Sequence, residues 1–226
     1  MTLAAAIVRG CRPLVQVVCA LLLASALVTR AWDADLMLRA AQAHGAGALG
    51  SAAELRALIG GLADQSDAAK LVGVNRFFNE RITFASDIEV WGEVDHWASP
   101  LELLAKGRGD CEDYVIGKYF SLLATGIPVG RLRLVYVNAQ LGGPQGETMA
   151  HMVLAHYAAP DAEPSILDNL IGEIRPASKR ADLMPVFSFN GEGLWHGVGG
   201  QAAGNPVARL SRWREVLAKA RATGFQ

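Results

Sequence analysis

The chain predicts an α+β domain, on three observations. Apolar positions at three- and four-residue spacing, punctuated by helix-start signals, recur through residues 34–81 and 99–124. Runs with strand composition follow over 132–138, 151–157 and 165–168, and a basic amphipathic stretch closes the chain at 207–222. Helices first and an antiparallel sheet second segregate the two kinds of structure instead of alternating them.

Ahead of the domain, Arg9 and Arg12 precede an uncharged apolar run over 14–28, the pattern of a signal peptide in residues 1–31. Cleavage after Ala26, with Ala24 two before it, and after Ala31, with Thr29 in that role, both satisfy the pattern; an uncleaved anchor reads the same way. Cys19 makes a poor lipoprotein cysteine, because Val17 and Val18 precede it where small residues belong. Removing residues 1–31 takes away Arg9, Arg12 and Arg30 and no acid, so the formal charge moves from −1 to −4. That balance implies no basic surface for nucleic acid. Residues 32–226 suit one compact domain, with no repeat or linker.

Residues 34–43 read as a helix, after which Gly45, Gly47 and Gly50 are expected to break the chain. Ser51 and Glu54 have capping-box spacing, so a helix is expected to start there and run to about Asp64. The next helix carries Leu71, Val74, Phe77 and Phe78 on a core face, with Asn75, Arg76, Asn79 and Glu80 mostly opposite. Residues 82–98, with Trp91 and Trp97, lack clean periodicity and read as a long irregular segment. Ser99, Pro100 and Glu102 open a short helix ending near Gly107. A further helix runs from Cys111 to Ala124, burying Val115, Tyr119, Leu122 and Leu123, with Gly126 past its end and Pro128 preventing continuation. Two strands follow around a glycine-rich turn at 142–146, then a short third one. Pro185 confines a strand over 183–189 to an edge or a bulge. Residues 190–205 read as a glycine-rich loop.

Once the signal is removed, Cys111 is the one remaining cysteine, and it sits at a helix start, where backbone amides favour a thiolate. A small buried core residue is the equal alternative. A thiol nucleophile also needs a base, and His44, His96, His151, His156 and His196 are available. If the strand beginning at His151 pairs antiparallel with the one ending at Asp168, opposed residue numbers sum to 319 and the turn falls at Ala159 and Pro160. That register sets His151 beside Asp168, within reach for a carboxylate to orient the imidazole. Alone, each reads as a strand-end histidine or a turn acid. Together with Cys111 they read as a triad.

The run Asp110-Cys111-Glu112-Asp113-Tyr114, then Lys118-Tyr119-Phe120, Ala150-His151-Met152-Val153-Leu154 and Ile166-Leu167-Asp168-Asn169-Leu170, resembles the bacterial transglutaminase-like cysteine proteinases of the LapG type. The resemblance extends upstream through Asn75, Phe77-Phe78-Asn79, Asp87-Ile88, Trp91-Gly92 and residues 97–102, and downstream to Leu183-Met184-Pro185-Val186 and Asn190. It implies a papain-like or transglutaminase-like core, a central nucleophile helix packed on an antiparallel sheet, with Cys111 as nucleophile, His151 as base and Asp168 as orienting acid. It further implies a periplasmic protease that cuts a large surface adhesin near its N-terminus, after small residues in an alanine-rich motif, releasing cells from a biofilm. Its implied regulator is the periplasmic domain of an inner-membrane cyclic di-GMP receptor. The segment 142–147 is longer and richer in glycine than the resemblance leads one to expect.

Asp110, Glu112 and Asp113 would each raise the pKa of a neighbouring thiol. The resemblance supplies a calcium ion (Ca2+) held by Asp110 and Glu112, with Asp113 a weaker ligand; without it these acids would only complement the helix dipole. The Cys111 amide is the natural first oxyanion donor, and the Trp97 indole is a candidate second. A transglutaminase or amidase with the same triad, and a non-catalytic adhesin-binding module, are the alternatives. No zinc-ligand cluster, phosphate loop or dinucleotide fingerprint occurs in the sequence.

Overall fold

A computed structural model describes residues 32–226 except 144, 200 and 201. The expected signal peptide therefore lies outside the described residues, among which no helix is long and apolar enough to cross a membrane.

The helical half begins with α1 (Ala34–Gln42), whose start is capped by the Asp33 carboxylate accepting from the Leu36 amide. Next comes α2 (Ala46–Leu62), which corrects the expected break and start. Gly47, Gly50 and Ser51 all lie inside this helix; Ser51 donates its hydroxyl to the Gly47 carbonyl, and Glu54 pairs with Arg81. Ala48, Ala52, Leu55 and Ile59 form one continuous buried stripe, and that burial outweighs the glycines' local preference. Then follows α3 (Asp67–Arg81), with Leu71, Val74 and Phe78 buried.

The segment expected to be irregular contains β1 (Thr83–Phe84) and α4 (Asp87–Trp91), the latter opened by a capping box of Ser86 and Glu89. After α5 (Pro100–Lys106), which starts and stops as expected, β2 (Arg108–Gly109) pairs in parallel with β1. This places the tip of the preceding segment beside α6 (Cys111–Ala124). Every residue of α6 from Glu112 to Leu123 is buried, so it is the central helix.

The sheet comprises β3 (Leu132–Gln140), β4 (Thr148–His156), β5 (Ser165–Leu167), β6 (Arg175–Pro176), β7 (Leu183–Phe189), β8 (Leu194–His196) and β9 (Ala202–Gly204). Its order is β6-β5-β4-β3-β7-β8-β9, with neighbours antiparallel. Two of these strands lie in the stretch expected to be loop. Pro185 sits where the β3–β7 register shifts, as its missing amide requires, and within β7 only Phe187–Phe189 pair with β8. At the C-terminal end α7 (Pro206–Arg209) and α8 (Ser211–Ala222) replace the single expected helix, with Leu210 between them.

Alternation along the strands divides the core. Leu132, Leu134, Met152, Leu154, Leu167 and Phe189 join the helices' apolar cluster, whereas Val135, Val137, Ala139, Val153, Ala155 and Ile166 form a smaller cluster on the other face. Trp213 of α8 closes the larger cluster, its ring 5.3 Å from Phe189 and 5.5 Å from Tyr119.

Gly117 lets α3 approach α6, since a Cβ there would come within 2.5 Å of Phe78 Cε1. Gly117→Ala should therefore destabilise the protein by about 1–3 kcal/mol in urea unfolding, although alanine is the better helix former by about 1 kcal/mol. Adding Phe78→Leu should recover part of the loss; a stabilised Gly117→Ala protein would contradict this packing.

Candidate active site

The thiol is presented by a tight strand-to-helix turn. A Cβ on Gly109 would meet Asp113 Oδ2 at 2.5 Å and Leu103 Cδ1 at 2.8 Å, so β2 can run this close to α6 only with glycine there. Asp110 caps the helix with extended backbone, but its carboxylate makes no capping hydrogen bond. Cys111 is partly buried, and its Sγ donates to Glu112 Oε2 at 3.0 Å. Burial raises the thiol pKa first, and the Glu112 and Asp110 charges raise it further; the Met152 backbone amide, lying against the sulfur from β4, opposes them. Burial and the acids together therefore hold the sulfur as a thiol, and a cation would offset the acids' share.

Those acids are more numerous than the sequence suggested. Asp87, at the first position of α4, accepts from the His96 amide at 2.6 Å, and Asp113 accepts from the Ala98 amide at 2.7 Å. Asp87 Oδ1, Asp110 Oδ1 and Asp113 Oδ2 are buried with no hydrogen-bond partner. Ligand atoms of Asp87, Asp110 and Asp113 lie within 4.8 Å of one another, as do those of Asp87, Asp95 and Glu112, and those of Asp110, Cys111 and Glu112. Burial, then mutual repulsion led by Glu112, lifts the Asp110 carboxyl to about 9. Burial likewise raises Asp87 and lifts Asp113 well above the usual range, although each accepts a backbone amide. Orphaned, dry carboxylate oxygens converging on one point fit a hard divalent cation. Asp87, though part of the resemblance, and Asp95 were not read as cation ligands from sequence because no spacing ties them to Asp110; a capping box at Ser86 was the local signal for a helix bearing the first.

His151 and Asp168 are both buried, with His151 Nε2 2.8 Å from Asp168 Oδ1. The expected register is corrected by two residues: Leu154 faces Leu167 and Ala155 faces Ile166, so opposed numbers sum to 321. Because side chains alternate with period two, a slip of two leaves them on the same faces. Asp168 lies just past β5, and the Leu170 amide donates to its Oδ1 at 3.0 Å. Asn79 and Asn75 on α3 donate to the Asp168 and Gly172 carbonyls at 2.8 and 2.9 Å, which ties down the turn that carries the acid. Burial alone would raise the Asp168 carboxyl, but His151, the Leu170 amide and Arg180 hold it at about 2. Arg180 was not anticipated from sequence; its Nη2 donates to Asp168 Oδ2 at 2.7 Å. Lys118, two turns along α6 from Cys111, is fully buried without a hydrogen-bond partner, and burial brings it down to about 7 despite the attraction of Asp168.

Trp97, the expected second oxyanion donor, gives its indole N–H to Asp95 Oδ1 at 3.1 Å and stacks on Phe189 at 5.8 Å. In this geometry it braces Asp95 and has no N–H left for an oxyanion.

The model of the bacterial transglutaminase-like cysteine proteinases matches residues 59–184. Solved structures of Legionella pneumophila LapG are 34% identical to the chain, cover 83% of it and are themselves covered to 97%, with TM-scores of 0.71 and, for the EGTA-treated protein, 0.73. The calcium-bound form of the same protein superposes with a TM-score of 0.72 at the same identity, 98% of it covered. No curated protein sequence matches significantly.

The raised carboxyls make a pH prediction. Their folded pKa values exceed the unfolded value of about 4, so the folded chain holds more protons, and without a cation stability should fall as pH rises from about 4 to about 9. Thermal melting in chelator should give a lower Tm at pH 8 than at pH 5, and Asp113→Asn should shrink the difference. A Tm that rises with pH in chelator would contradict the assignment.

Proposed function

We propose that this chain, which belongs to the bacterial transglutaminase-like cysteine proteinases, is a calcium-dependent periplasmic endopeptidase that cuts a large surface adhesin near its N-terminus. The cut falls after small residues in an alanine-rich motif and releases cells from a biofilm. The observation that carries this reading is the Cys111 sulfur against the Met152 amide, one residue along β4 from the buried His151–Asp168 pair.

In the reaction His151 accepts the thiol proton, and Cys111 Sγ attacks the scissile carbonyl. The amine leaves with the proton from His151, and water, activated by the same imidazole, then hydrolyses the thioester. Asp168 engages Nε2 of His151, which leaves Nδ1 to serve the thiol. The backbone amide of Cys111, at the unsatisfied start of α6, is the donor for the oxyanion.

Asp110, Glu112 and Asp113, together with Asp87 and Asp95, are the residues that would hold calcium. When bound, the ion offsets the carboxylate field on the thiol and fastens the 82–98 segment to the start of α6. Support comes from the calcium-bound and EGTA-treated forms of Legionella LapG. The proposed inhibitor is the periplasmic domain of an inner-membrane cyclic di-GMP receptor, covering the cleft through segments 82–98 and 142–147. Phe84, Ile88 and Val94 expose apolar surface in the first of these.

Incubation with an alanine-rich adhesin fragment should yield two pieces; cross-linked species would mean a transferase, and a bound but intact fragment a module. Cys111→Ala and His151→Ala should each cost about a thousandfold or more, with little extra loss when combined, and Asp168→Asn should also damage cleavage. Saturating receptor domain should block the wild type, and full activity in that complex would overturn the inhibitory role.

Calcium is tested separately. Chelator should inhibit, added calcium should restore activity, and magnesium should substitute poorly because it demands tighter octahedral geometry. Asp87→Asn should weaken calcium binding in calorimetry. Full cleavage by metal-stripped protein in chelator would leave the acids as helix-dipole partners only.

A further inference from the structure

We infer that Arg180 is a positioning residue of the proposed reaction: it clamps one oxygen of Asp168 so that the other is aimed at His151, and Asp182 in turn fixes the clamp. The inference rests on the reading of Cys111, His151 and Asp168 as the reacting set.

The Asp168 carboxylate is fully committed. Oδ1 accepts from His151 Nε2 at 2.8 Å and from the Leu170 amide at 3.0 Å, while Oδ2 accepts from Arg180 Nη2 at 2.7 Å. Donors from three separate places fix the carboxylate plane against rotation, which one imidazole contact alone could not do. Arg180 is itself only 3% exposed. Its Nε lies 3.0 and 3.2 Å from the two Asp182 oxygens, and its Nη2 lies 2.8 Å from Oδ2, the bidentate geometry that a lysine cannot reproduce. Its backbone is pinned as well, since its amide donates to Ala177 and its carbonyl accepts from Leu183.

The surroundings offer no substitute. Arg180 lines a pocket of about 190 Å³ on the sheet face away from the helices, whose other walls are Val135, Val137, Val153, Ile166 and Leu183 among similar apolar residues. Lys118, which also feels the charge of Asp168, reaches neither of its oxygens with a hydrogen bond. Desolvating such a pair costs several kcal/mol, and well-packed apolar residues would stabilise the fold as well or better. What the guanidinium supplies that apolar packing cannot is a charged donor on Oδ2, which adds to His151 and the Leu170 amide in keeping Asp168 ionised, so that it accepts from the imidazole instead of donating to it. Arg180 acts through Asp168 and touches no reacting atom.

The test compares kinetics of adhesin-fragment cleavage across Arg180→Gln, Arg180→Lys and Asp168→Asn. Arg180→Gln should lower kcat by about a hundredfold with KM nearly unchanged, the scale of a misoriented catalytic group. Its acid limb should move to higher pH, because Asp168 loses its cation, and Arg180→Lys should restore the limb and part of kcat. In the Asp168→Asn background the added Arg180→Gln change should cost less than about threefold, since residues acting as a unit are not additive. If Arg180→Gln fails to fold, Asp182→Asn, which frees the fork and keeps the cation, should still lower kcat selectively. Equal losses in both backgrounds, or losses that follow Tm with an unmoved pH profile, overturn the inference while leaving the protease reading intact. A wild-type chain that cleaves nothing overturns both.

Discussion

Asp110, Glu112 and Asp113 crowd three carboxylates around the first turn of the helix that carries the thiol, and Asp87 and Asp95 are folded in beside them. Like charges so close in a partly dry site repel by several kcal/mol unless protonated or paired, and among the described residues no lysine or arginine hydrogen-bonds to Asp87, Asp110, Glu112 or Asp113. The rest of the architecture is arranged around that unfavourable concentration. The Ala98 and His96 amides each spend a hydrogen bond on one of these acids, which converts a segment without its own periodicity into a fixed cover over the start of α6.

That cover also explains the tryptophans. Trp97 lies flat on Phe189 of the sheet and hands its N–H to Asp95, while Trp91 stacks on His96 at 4.1 Å with Lys106 over its other surroundings at 4.8 Å. Apolar stacking and carboxylate contacts thus hold the same short stretch from two sides. A cation at the acids would complete the second set of contacts, so the proposed calcium couples electrostatics at the thiol to the shape of the cleft wall. This is why a metal with no role in bond making would still be required for cleavage.

Much of this was legible in sequence, and the limits have physical causes. The bounds of α6 were readable because Asp110, Gly126 and Pro128 are local signals, and α5 because Ser99, Pro100 and Glu102 are. The capping-box reading at Ser51 failed because a buried stripe through Ala48 and Ala52 carried the helix past it. The β4–β5 register was missed by two residues because Pro164 and the turn before it set the pairing, yet period-two alternation spared the conclusion. Asp87, Asp95 and Arg180 join the site only through tertiary contacts, 24, 16 and 69 residues from Cys111, and no local periodicity encodes such distances.

Two oppositely organised charge systems therefore meet where the start of α6 faces β4. On the helix-start side, carboxylates outnumber their donors and the field disfavours a thiolate. On the strand side, Asp168 accepts from His151, the Leu170 amide and Arg180, whose guanidinium puts positive charge behind it. The asymmetry has a consequence for how the proposed reaction is switched. The strand side is assembled from covalently tethered groups and is in place once the chain folds. The helix-start side would need the proposed calcium to reverse its sign. Under the proposed reaction, control over cleavage would belong to the acids and the segment they hold, and not to the imidazole and its carboxylate.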